Sequence, residues 1–252
     1  MKISKKQIEK IKKLMPIERK PAKISNQQFL NALLYMVENG CKWRALPKKF
    51  GNWHTIYMRF SRWTKNGTIQ RIFDDLQKQN IIEAQSEVLF LDSTSIKVYP
   101  NASGARKTSG KQSIGRSKRG LTTKIHAVCV SEKFALKIQL SAENRHNAPE
   151  GRKLINSLSY KSGCYLLMDR VYKDNETQAL ALMQGLIPVV PSKKNRKTPW
   201  QYDSELYKRR NDVERFSLRI KRFRKVFTRY DKLDIIYFSI VTLVLIFDAL
   251  FM

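Results

Sequence analysis

Two aspartates that follow similar apolar runs are the first residues in the chain to indicate chemistry. VLFL precedes Asp92, and YLLM precedes Asp169. We expect each run to be a buried strand that ends at its aspartate, so that rigid backbone holds the carboxylate at the edge of a sheet. Carboxylates placed in this way can share a hard divalent cation such as Mg²⁺, which takes oxygen ligands and keeps several waters. Taken singly, an aspartate after a strand is more often a turn former or a helix cap.

A third acid, Glu214, lies in the strongly basic segment YKRRNDVERFSLRIK, residues 207–221. If the segment is helical, at about 100° per residue, one face about 60° wide is shared by Tyr207, Arg210, Glu214 and Lys221. A different face is apolar and would fix the helix against the sheet; it carries Val213, Phe216, Ile220, Phe223 and Phe227. Glu214 is therefore a candidate metal ligand. It can equally be a surface acid paired with Arg210 or Lys221, which would contribute only about 0.5 kcal/mol.

The charge of the chain indicates the kind of partner it has. Its 252 residues include 49 lysines and arginines and 21 acids, which gives a net charge of +28. Such an excess repels itself unless an anion relieves it, and nucleic acid is the usual polyanion. A basic surface that served solubility alone would need much less charge.

The cysteines and the most apolar stretch indicate the compartment. Cys41, Cys129 and Cys164 have no paired spacing, so we expect neither a disulfide framework nor a zinc site, and a reducing cytoplasm fits. The N-terminus lacks the apolar core of a signal peptide. Residues 235–247, IIYFSIVTLVLIF, are shorter than the ~20 residues that a membrane span needs, which favours a buried core helix and no membrane association.

The first 82 residues read as a helical region. A basic, helix-like lead runs to about Pro21, Ser25 and Gln28 form a capping-box pattern for a helix that ends at Gly40, and Asn52 caps the next helix. That next helix has an aromatic face and a basic face, the latter carrying Arg59, Arg62 and Lys65. The arrangement resembles a helix-turn-helix module that binds DNA. The alternative is a small helical bundle whose basic face is only solvated.

After about residue 86 the pattern changes to strands that later alternate with helices, which indicates an α/β domain with a mixed sheet. Residues 99–120 interrupt it with a long loop that has no acid. We expect a flexible arm that docks on phosphates; its cations are Arg106, Lys107, Lys111, Arg116, Lys118 and Arg119. The glycines of this loop do not fit a phosphate-cradling pattern, so we expect no nucleotide cofactor.

Together these motifs resemble those of a known family. The spacing of Tyr207, Arg210, Glu214 and Lys221 matches the Y-R-E-K signature of bacterial insertion-sequence transposases. With LDSTSIKV around Asp92, LLMDRVY around Asp169, and the runs GRSKRGLTTKIHAV and IPVVPSKKN, nearly the whole chain is similar to the DDE transposases of the insertion sequence five family. One departure is Asn147, where relatives often carry an acid.

The resemblance implies an RNase H-like catalytic domain over residues 86–252 behind a helical DNA-binding region over residues 1–82. It implies that Asp92, Asp169 and Glu214 converge on two Mg²⁺ ions, with Mn²⁺ as an alternative. The partners would be double-stranded DNA, both terminal inverted repeats and target, and at least one further copy of the chain. The protein would act at the nucleoid in the bacterial cytoplasm. An RNase H-like nuclease without strand transfer and a catalytically dead DNA-binding protein remain as alternatives.

Overall fold

The helices and strands are distributed over two compact units, which consist of residues 1–79, 99–112 and 219–252 and of residues 80–98 and 113–218. The computed structural model describes residues 1–16, 23–84, 86–118, 120–131, 134–192 and 199–251. Its α-helices are α1 Lys5–Lys12, α2 Asn26–Asn39, α3 Trp53–Lys65, α4 Thr68–Ala84, α5 Asn147–Asn156, α6 Asn175–Met183, α7 Ser204–Tyr207, α8 Asn211–Lys221, α9 Arg224–Phe227 and α10 Asp234–Leu250. Its strands are β1 Val88–Val98, β2 Gly115–Ser117, β3 Gly120–Cys129, β4 Ala135–Ala142, β5 Tyr165–Met168, β6 Ile187–Val189 and β7 Thr228–Arg229.

Local capping signals set the ends of the first unit's helices. The Ser25 hydroxyl accepts a hydrogen bond from the Gln28 backbone N–H at 3.2 Å, and α2 ends at Gly40 in the left-handed conformation with φ 65°. The Asn52 side chain accepts from the His54 N–H at 2.8 Å and begins α3. The Gln28 side chain donates instead to the Lys49 carbonyl, so the predicted capping box is only half formed. The start and end of α2 and the start of α3 are confirmed, because capping depends on neighbouring residues alone.

The core of the first unit consists of apolar helix faces. Phe29 and Leu33 of α2 and Phe60 of α3 are fully buried, and α10 packs against both helices. The prediction of a buried core helix over residues 235–247 is confirmed, since most of α10 is inaccessible to solvent. Across the described part of the chain, we find no helix with the length and apolarity needed to cross a membrane.

The connection between α2 and α3 differs from that of a helix-turn-helix motif. Residues 40–52 separate the two helices and contain 3₁₀ turns at Trp43–Ala45 and Lys48–Phe50. A helix-turn-helix has a turn of about three or four residues. The region is helical as predicted, but the longer connection is stabilised by its own aromatic contacts, such as Trp43 against Phe60 at 5.2 Å between ring centroids. The predicted end of the lead near Pro21 lies outside the described residues.

The second unit contains a mixed sheet. Its strand order is β2-β3-β1-β5-β6, and β4 also pairs with β3. Strand β1 is antiparallel to β3 and parallel to β5, and β5 is parallel to β6. Helices α5 and α6 contribute buried side chains to the core of this unit, including Leu154, Ile155 and Ala181. The predicted α/β class with a mixed, RNase H-like sheet is confirmed.

Two local predictions are wrong. Strand β1 does not end at Asp92 but continues to Val98, because antiparallel pairing with β3 extends as far as Lys97↔Thr122. The basic loop 99–120 is not a structureless arm in its described residues. It forms 3₁₀ turns at Pro100–Ser103 and Lys107–Ser109 and then strand β2, which pairs with β3.

The segment from Tyr207 to Lys221 is also not one continuous α-helix. Helix α7 ends at Tyr207, a 3₁₀ turn covers Lys208–Arg210, and α8 follows. Because a 3₁₀ turn advances ~120° per residue, the predicted angular position of Tyr207 relative to Glu214 does not hold. Val213, Phe216, Ile220 and Phe223 are buried as predicted, whereas Phe227 is 60% exposed because it ends α9, a separate short helix.

Candidate active site

The register of the sheet brings Asp92 and Asp169 close together. In the parallel pair of β1 and β5, Leu91 lies opposite Met168, and each aspartate is the next residue of its chain segment. Neighbouring strands lie ~4.8 Å apart, so two residues that directly follow the same pair of a parallel ladder are neighbours across the sheet. The four residues before each aspartate include fully buried side chains, which fix both segments in the core.

The environment of Asp92 raises the pKa of its carboxyl group to about 6. Burial is the largest cause, and the charges of Asp169 and Glu214 raise the pKa further. A hydrogen bond from the Ser93 backbone N–H and the charge of Arg210 act in the opposite direction. The charges of Asp169 and Glu214, from distant parts of the chain, therefore both act on the Asp92 carboxyl group.

Glu214 is held by Arg210. The Arg210 Nη2 atom lies 2.6 Å from Glu214 Oε1, one helical turn away, and Glu214 keeps 51% of its side chain exposed. Burial raises the pKa of the Tyr207 hydroxyl. The charges of Arg210 and Asp169 also act on this hydroxyl, so Tyr207 belongs to the same cluster. The surface ion pair considered as the alternative role of Glu214 is thus present, and the same carboxylate also acts on Asp92.

The donor chemistry of this cluster suits a hard divalent cation. Within the ranges that the structure describes, no three histidine, cysteine, aspartate or glutamate side chains have the arrangement of a formed metal site. Asp169 accepts a hydrogen bond from the Arg170 N–H at 2.7 Å, and Glu214 is paired with Arg210. Burial is the main cause of the raised pKa of Asp92, with smaller contributions from the charges of Asp169 and Glu214, and carboxylate oxygens are the ligands that Mg²⁺ prefers. Asp92, Asp169 and Glu214 thus have the ligand chemistry of such an ion, but their side chains are not arranged as a metal site in this structure.

A chain of side-chain hydrogen bonds, called the polar bridge here, ends at Ser93, the residue after Asp92. Asn147, the first residue of α5, donates from Nδ2 to Ser93 Oγ at 2.9 Å. Its Oδ1 accepts from Lys124 Nζ at 2.7 Å, and Lys124 also donates to the Arg145 carbonyl at 3.1 Å. Sequence reasoning noted Asn147 only as a departure from the family and missed the roles of Ser93 and Lys124. The position of Ser93 directly after Asp92 was the one available signal.

The bridge continues into the core through Tyr172 and His126. Tyr172 is fully buried, shares a hydrogen bond with Ser93, and has a raised pKa because of burial. Its hydroxyl lies 3.5 Å from His126 Nδ1, and His126 Nε2 lies 2.8 Å from Ser141 Oγ. Burial lowers the pKa of His126 to about 4, so this histidine is neutral at physiological pH. The structural role expected for a buried histidine fits this placement.

The basic residues predicted on α3 have different environments. Arg59 donates to the Ile24 carbonyl at 3.2 Å and to the Asn26 side chain, and its guanidinium lies 4.4 Å from the Phe29 ring centroid. This arginine therefore packs against its own unit. Arg62 and Lys65 are exposed on the same helix.

The predicted cations of the loop are divided between the two units. Arg106, Lys107 and Lys111 are exposed in the first unit, and Arg116 and Lys118 are exposed in the second. Arg119 lies outside the described residues. Lys221 is the last residue of α8 and is assigned to the first unit, whereas Glu214 belongs to the second.

Fold and site together define a class of protein, an RNase H-like α/β domain with one aspartate in β1 and a second directly after β5. A family model described as "Transposase DDE domain" matches residues 83–247, and one described as "Putative transposase of IS4/5 family (DUF4096)" matches residues 3–73. The first match covers more than half of the chain, so the chain belongs to the DDE transposase family.

Individual relatives are more distant. The chain is 35% identical over 86 residues to the uncharacterized protein y4sN of Sinorhizobium fredii (strain NBRC 101917 / NGR234), a match that covers 34% of this chain and 66% of that protein. The piggyBac transposase in a synaptic complex with hairpin DNA has 13% identity and a TM-score of 0.41, over 76% of this chain and 47% of that one. The Mos1 transposase in a pre-cleavage transpososome has 9% identity and a TM-score of 0.25, over 91% and 79%. At such TM-scores the assignment depends on the family matches alone.

Proposed function

We propose that this protein is the transposase of a bacterial insertion sequence. It binds the terminal inverted repeats of its element and catalyses Mg²⁺-dependent DNA strand cleavage and strand transfer. The observation that carries the proposal is the parallel register of β1 and β5, in which Asp92 and Asp169 directly follow the paired residues Leu91 and Met168. The charge of Glu214 on α8 also acts on Asp92. Membership of the DDE transposase family supports the same reading.

The reaction is phosphoryl transfer in two steps. Water first displaces a 3′-oxygen at the end of the element, which leaves a free 3′-hydroxyl and a 5′-phosphate. That hydroxyl then attacks a phosphodiester of the target, so that one P–O bond forms while another breaks and no nucleotide cofactor is needed. Two divalent cations held by Asp92, Asp169 and Glu214, Mg²⁺ or alternatively Mn²⁺, would activate the attacking oxygen and stabilise the leaving one.

The other residues of the site orient the DNA. Arg210 has a planar guanidinium suited to phosphate oxygens, and it is half buried beside Glu214. We assign to Tyr207 a contact with a sugar or a base, and to Lys221 a contact with a phosphate. The bridge of Lys124, Asn147 and Ser93 fixes the backbone around Asp92.

Duplex DNA is the proposed partner of the exposed cations. Phosphate contacts supply most of the affinity of such proteins for DNA. We assign these contacts to Arg62, Lys65, Arg106, Lys107, Lys111, Arg116 and Lys118. We also propose residues 1–82 as the DNA-binding region, residues 86–252 as the catalytic domain, and at least a dimer when two ends are joined. The proposed location is the nucleoid in the bacterial cytoplasm.

The decisive experiment replaces each carboxylate without changing its shape. We expect Asp92→Asn, Asp169→Asn and Glu214→Gln each to abolish Mg²⁺-dependent nicking of DNA that carries the sequences flanking the gene. Affinity for the same DNA, measured by gel shift in EDTA, should stay near that of the wild type. The matched control is Asp212→Asn, two residues from Glu214 on α8, whose carboxylate lies 3.4 Å from Arg215.

The products separate the proposal from its alternatives. Joined target products establish a transposase, and cleavage that is never followed by joining establishes a nuclease. Three carboxylate variants that cut as well as the control would show that the site is wrongly assigned. A wild-type protein that binds DNA but never cuts it would establish a DNA-binding protein without catalysis.

A further inference from the structure

Two exposed tyrosines of the first unit contact each other through their rings. Tyr99 is 46% exposed and Tyr230 is 48% exposed. Their ring centroids are 5.1 Å apart, with 33° between the ring planes. An aromatic pair at the surface leaves apolar ring faces in water, so this pair, the tyrosine platform, offers stacking surface to another ring.

Buried groups hold the platform in place. The Tyr99 N–H donates to the Arg229 carbonyl at 2.9 Å. Arg229 is fully buried, and its side chain donates to the Asp231 carbonyl at 3.0 Å and to Asp234 Oδ1 at 2.8 Å. Both tyrosines are therefore attached to a fixed turn, which lowers the entropy lost when a ligand binds.

The segment that begins with Tyr99 also carries exposed cations. Residues 99–112 contain no acid, and their cations Arg106, Lys107 and Lys111 are all exposed. These side chains can follow a polyanionic backbone.

Further cations come from the segment of Tyr230. Lys225 is buried, and its Nζ lies 5.7 Å from the Tyr230 ring centroid and 3.6 Å from an Asp231 carboxylate oxygen, so this lysine supports the turn and does not face a ligand. Lys232 is exposed and lies beside Gly104, where a Cβ would come within 3.7 Å of its Nζ. The charges of Lys225 and Arg229 are paired with Asp231 and Asp234, so Lys232 is the exposed cation that we assign to the site from this segment.

We propose that the tyrosine platform binds unpaired nucleobases, and that with its surrounding cations it forms a site for single-stranded DNA. Rings that stack on bases, next to cations that contact phosphates, are the combination that single-strand-binding proteins use. Bases within a duplex are already stacked on each other, so the platform discriminates in favour of an unpaired strand. The site goes beyond the proposed function, because it needs neither the carboxylates nor a metal ion.

The test measures binding by the full chain in EDTA. The probes are a fluorescein-labelled oligothymidine and a duplex of the same length, followed by fluorescence anisotropy. We expect Tyr99→Ala and Tyr230→Ala each to weaken oligothymidine binding about tenfold, since stacking on one ring contributes about 1–3 kcal/mol per base. Duplex binding should change less than about twofold. Tyr99→Phe and Tyr230→Phe keep the ring and should bind as the wild type does.

Ile235→Ala is the matched control, because it removes an apolar side chain that is 50% exposed in the same unit. Alanine variants that bind oligothymidine normally, or that lose affinity equally for both probes, would overturn the proposal. A measurement on the unaltered protein covers the case in which a variant does not fold. Photocrosslinking to a 5-iodouracil oligonucleotide should label the peptides of Tyr99 or Tyr230, and labelling confined to other peptides would also overturn it.

Discussion

Asp92 lies where its own negative charge is unfavourable for folding. Burial and the nearby acids raise its pKa from 3.8 to about 6, so between these values the folded protein binds the proton more tightly than the unfolded chain does. The free energy of unfolding therefore falls as pH rises through this window. We expect Asp92→Asn to stabilise the metal-free protein at neutral pH by on the order of 2 kcal/mol, a gain that disappears at the acidic end of the window.

Urea unfolding in EDTA at a series of pH values measures this effect. Asp212→Asn serves as the reference variant, because it removes a carboxylate from α8 without touching the sheet. If both variants show the same pH dependence, the charge of Asp92 is not the cause. His126 acts in the opposite sense, since its lowered pKa of about 4 makes stability fall as pH decreases from 6.5 towards that value.

Asn147 acts through the backbone that carries Asp92. Replacing it by alanine removes the acceptor of Lys124 and the donor to Ser93. We expect Asn147→Ala to slow cleavage about tenfold while DNA affinity in EDTA is unchanged, because a small displacement of a reacting group reduces rate more than binding. Asn144→Ala, in the exposed turn before α5, is the control. A loss of DNA affinity equal to the loss of rate would indicate a direct contact with DNA instead.

At the scale of elements, α5 packs closely against its unit because it carries a glycine at residue 151. A Cβ at this position would lie 2.5 Å from Tyr172 Cε1 and 3.2 Å from Leu91 Cδ2. Alanine normally favours a helix over glycine by about 1 kcal/mol. We nevertheless expect Gly151→Ala to destabilise the protein by about 1–3 kcal/mol, since the buried Tyr172 ring has no room to move. Thermal unfolding measures the sign, and a raised melting temperature would contradict the packing argument.

Some boundaries of the helices and strands can be predicted from the sequence, and others cannot. Ser25, Gly40 and Asn52 mark helix ends through contacts with their own neighbours, so a reader of the sequence can predict them. Two similar apolar runs predicted that Asp92 and Asp169 each follow buried strand residues, but the parallel pairing of the two strands is known only from the coordinates. The extension of β1 to Val98 depends on a partner strand about thirty residues away, and the 3₁₀ turn at Lys208–Arg210 breaks a pattern that looked helical throughout. The bridge through Asn147 required coordinates, because its three side chains come from three separate elements.

At the scale of the whole molecule, the net charge of +28 predicts strongly salt-dependent binding to DNA. The logarithm of the association constant should fall linearly with the logarithm of salt concentration, with a slope of about −0.9 for each phosphate contacted. We expect Arg62→Ala or Lys65→Ala to reduce the magnitude of this slope by about one. Arg59→Ala should instead lower the melting temperature, because Arg59 packs on Phe29. A slope that none of the exposed substitutions changes would place the DNA on another surface.

The first unit is assembled from three separate segments of the chain, and this has a consequence for synthesis on the ribosome. Helices α2 and α3 emerge early, but α10, which covers them, is translated on the order of 150 residues later, a delay of roughly ten seconds or more. The apolar faces of α2 and α3 therefore stay exposed until α10 has been synthesised and can pack against them. Chaperones that bind nascent chains are therefore needed for longest at α2 and α3.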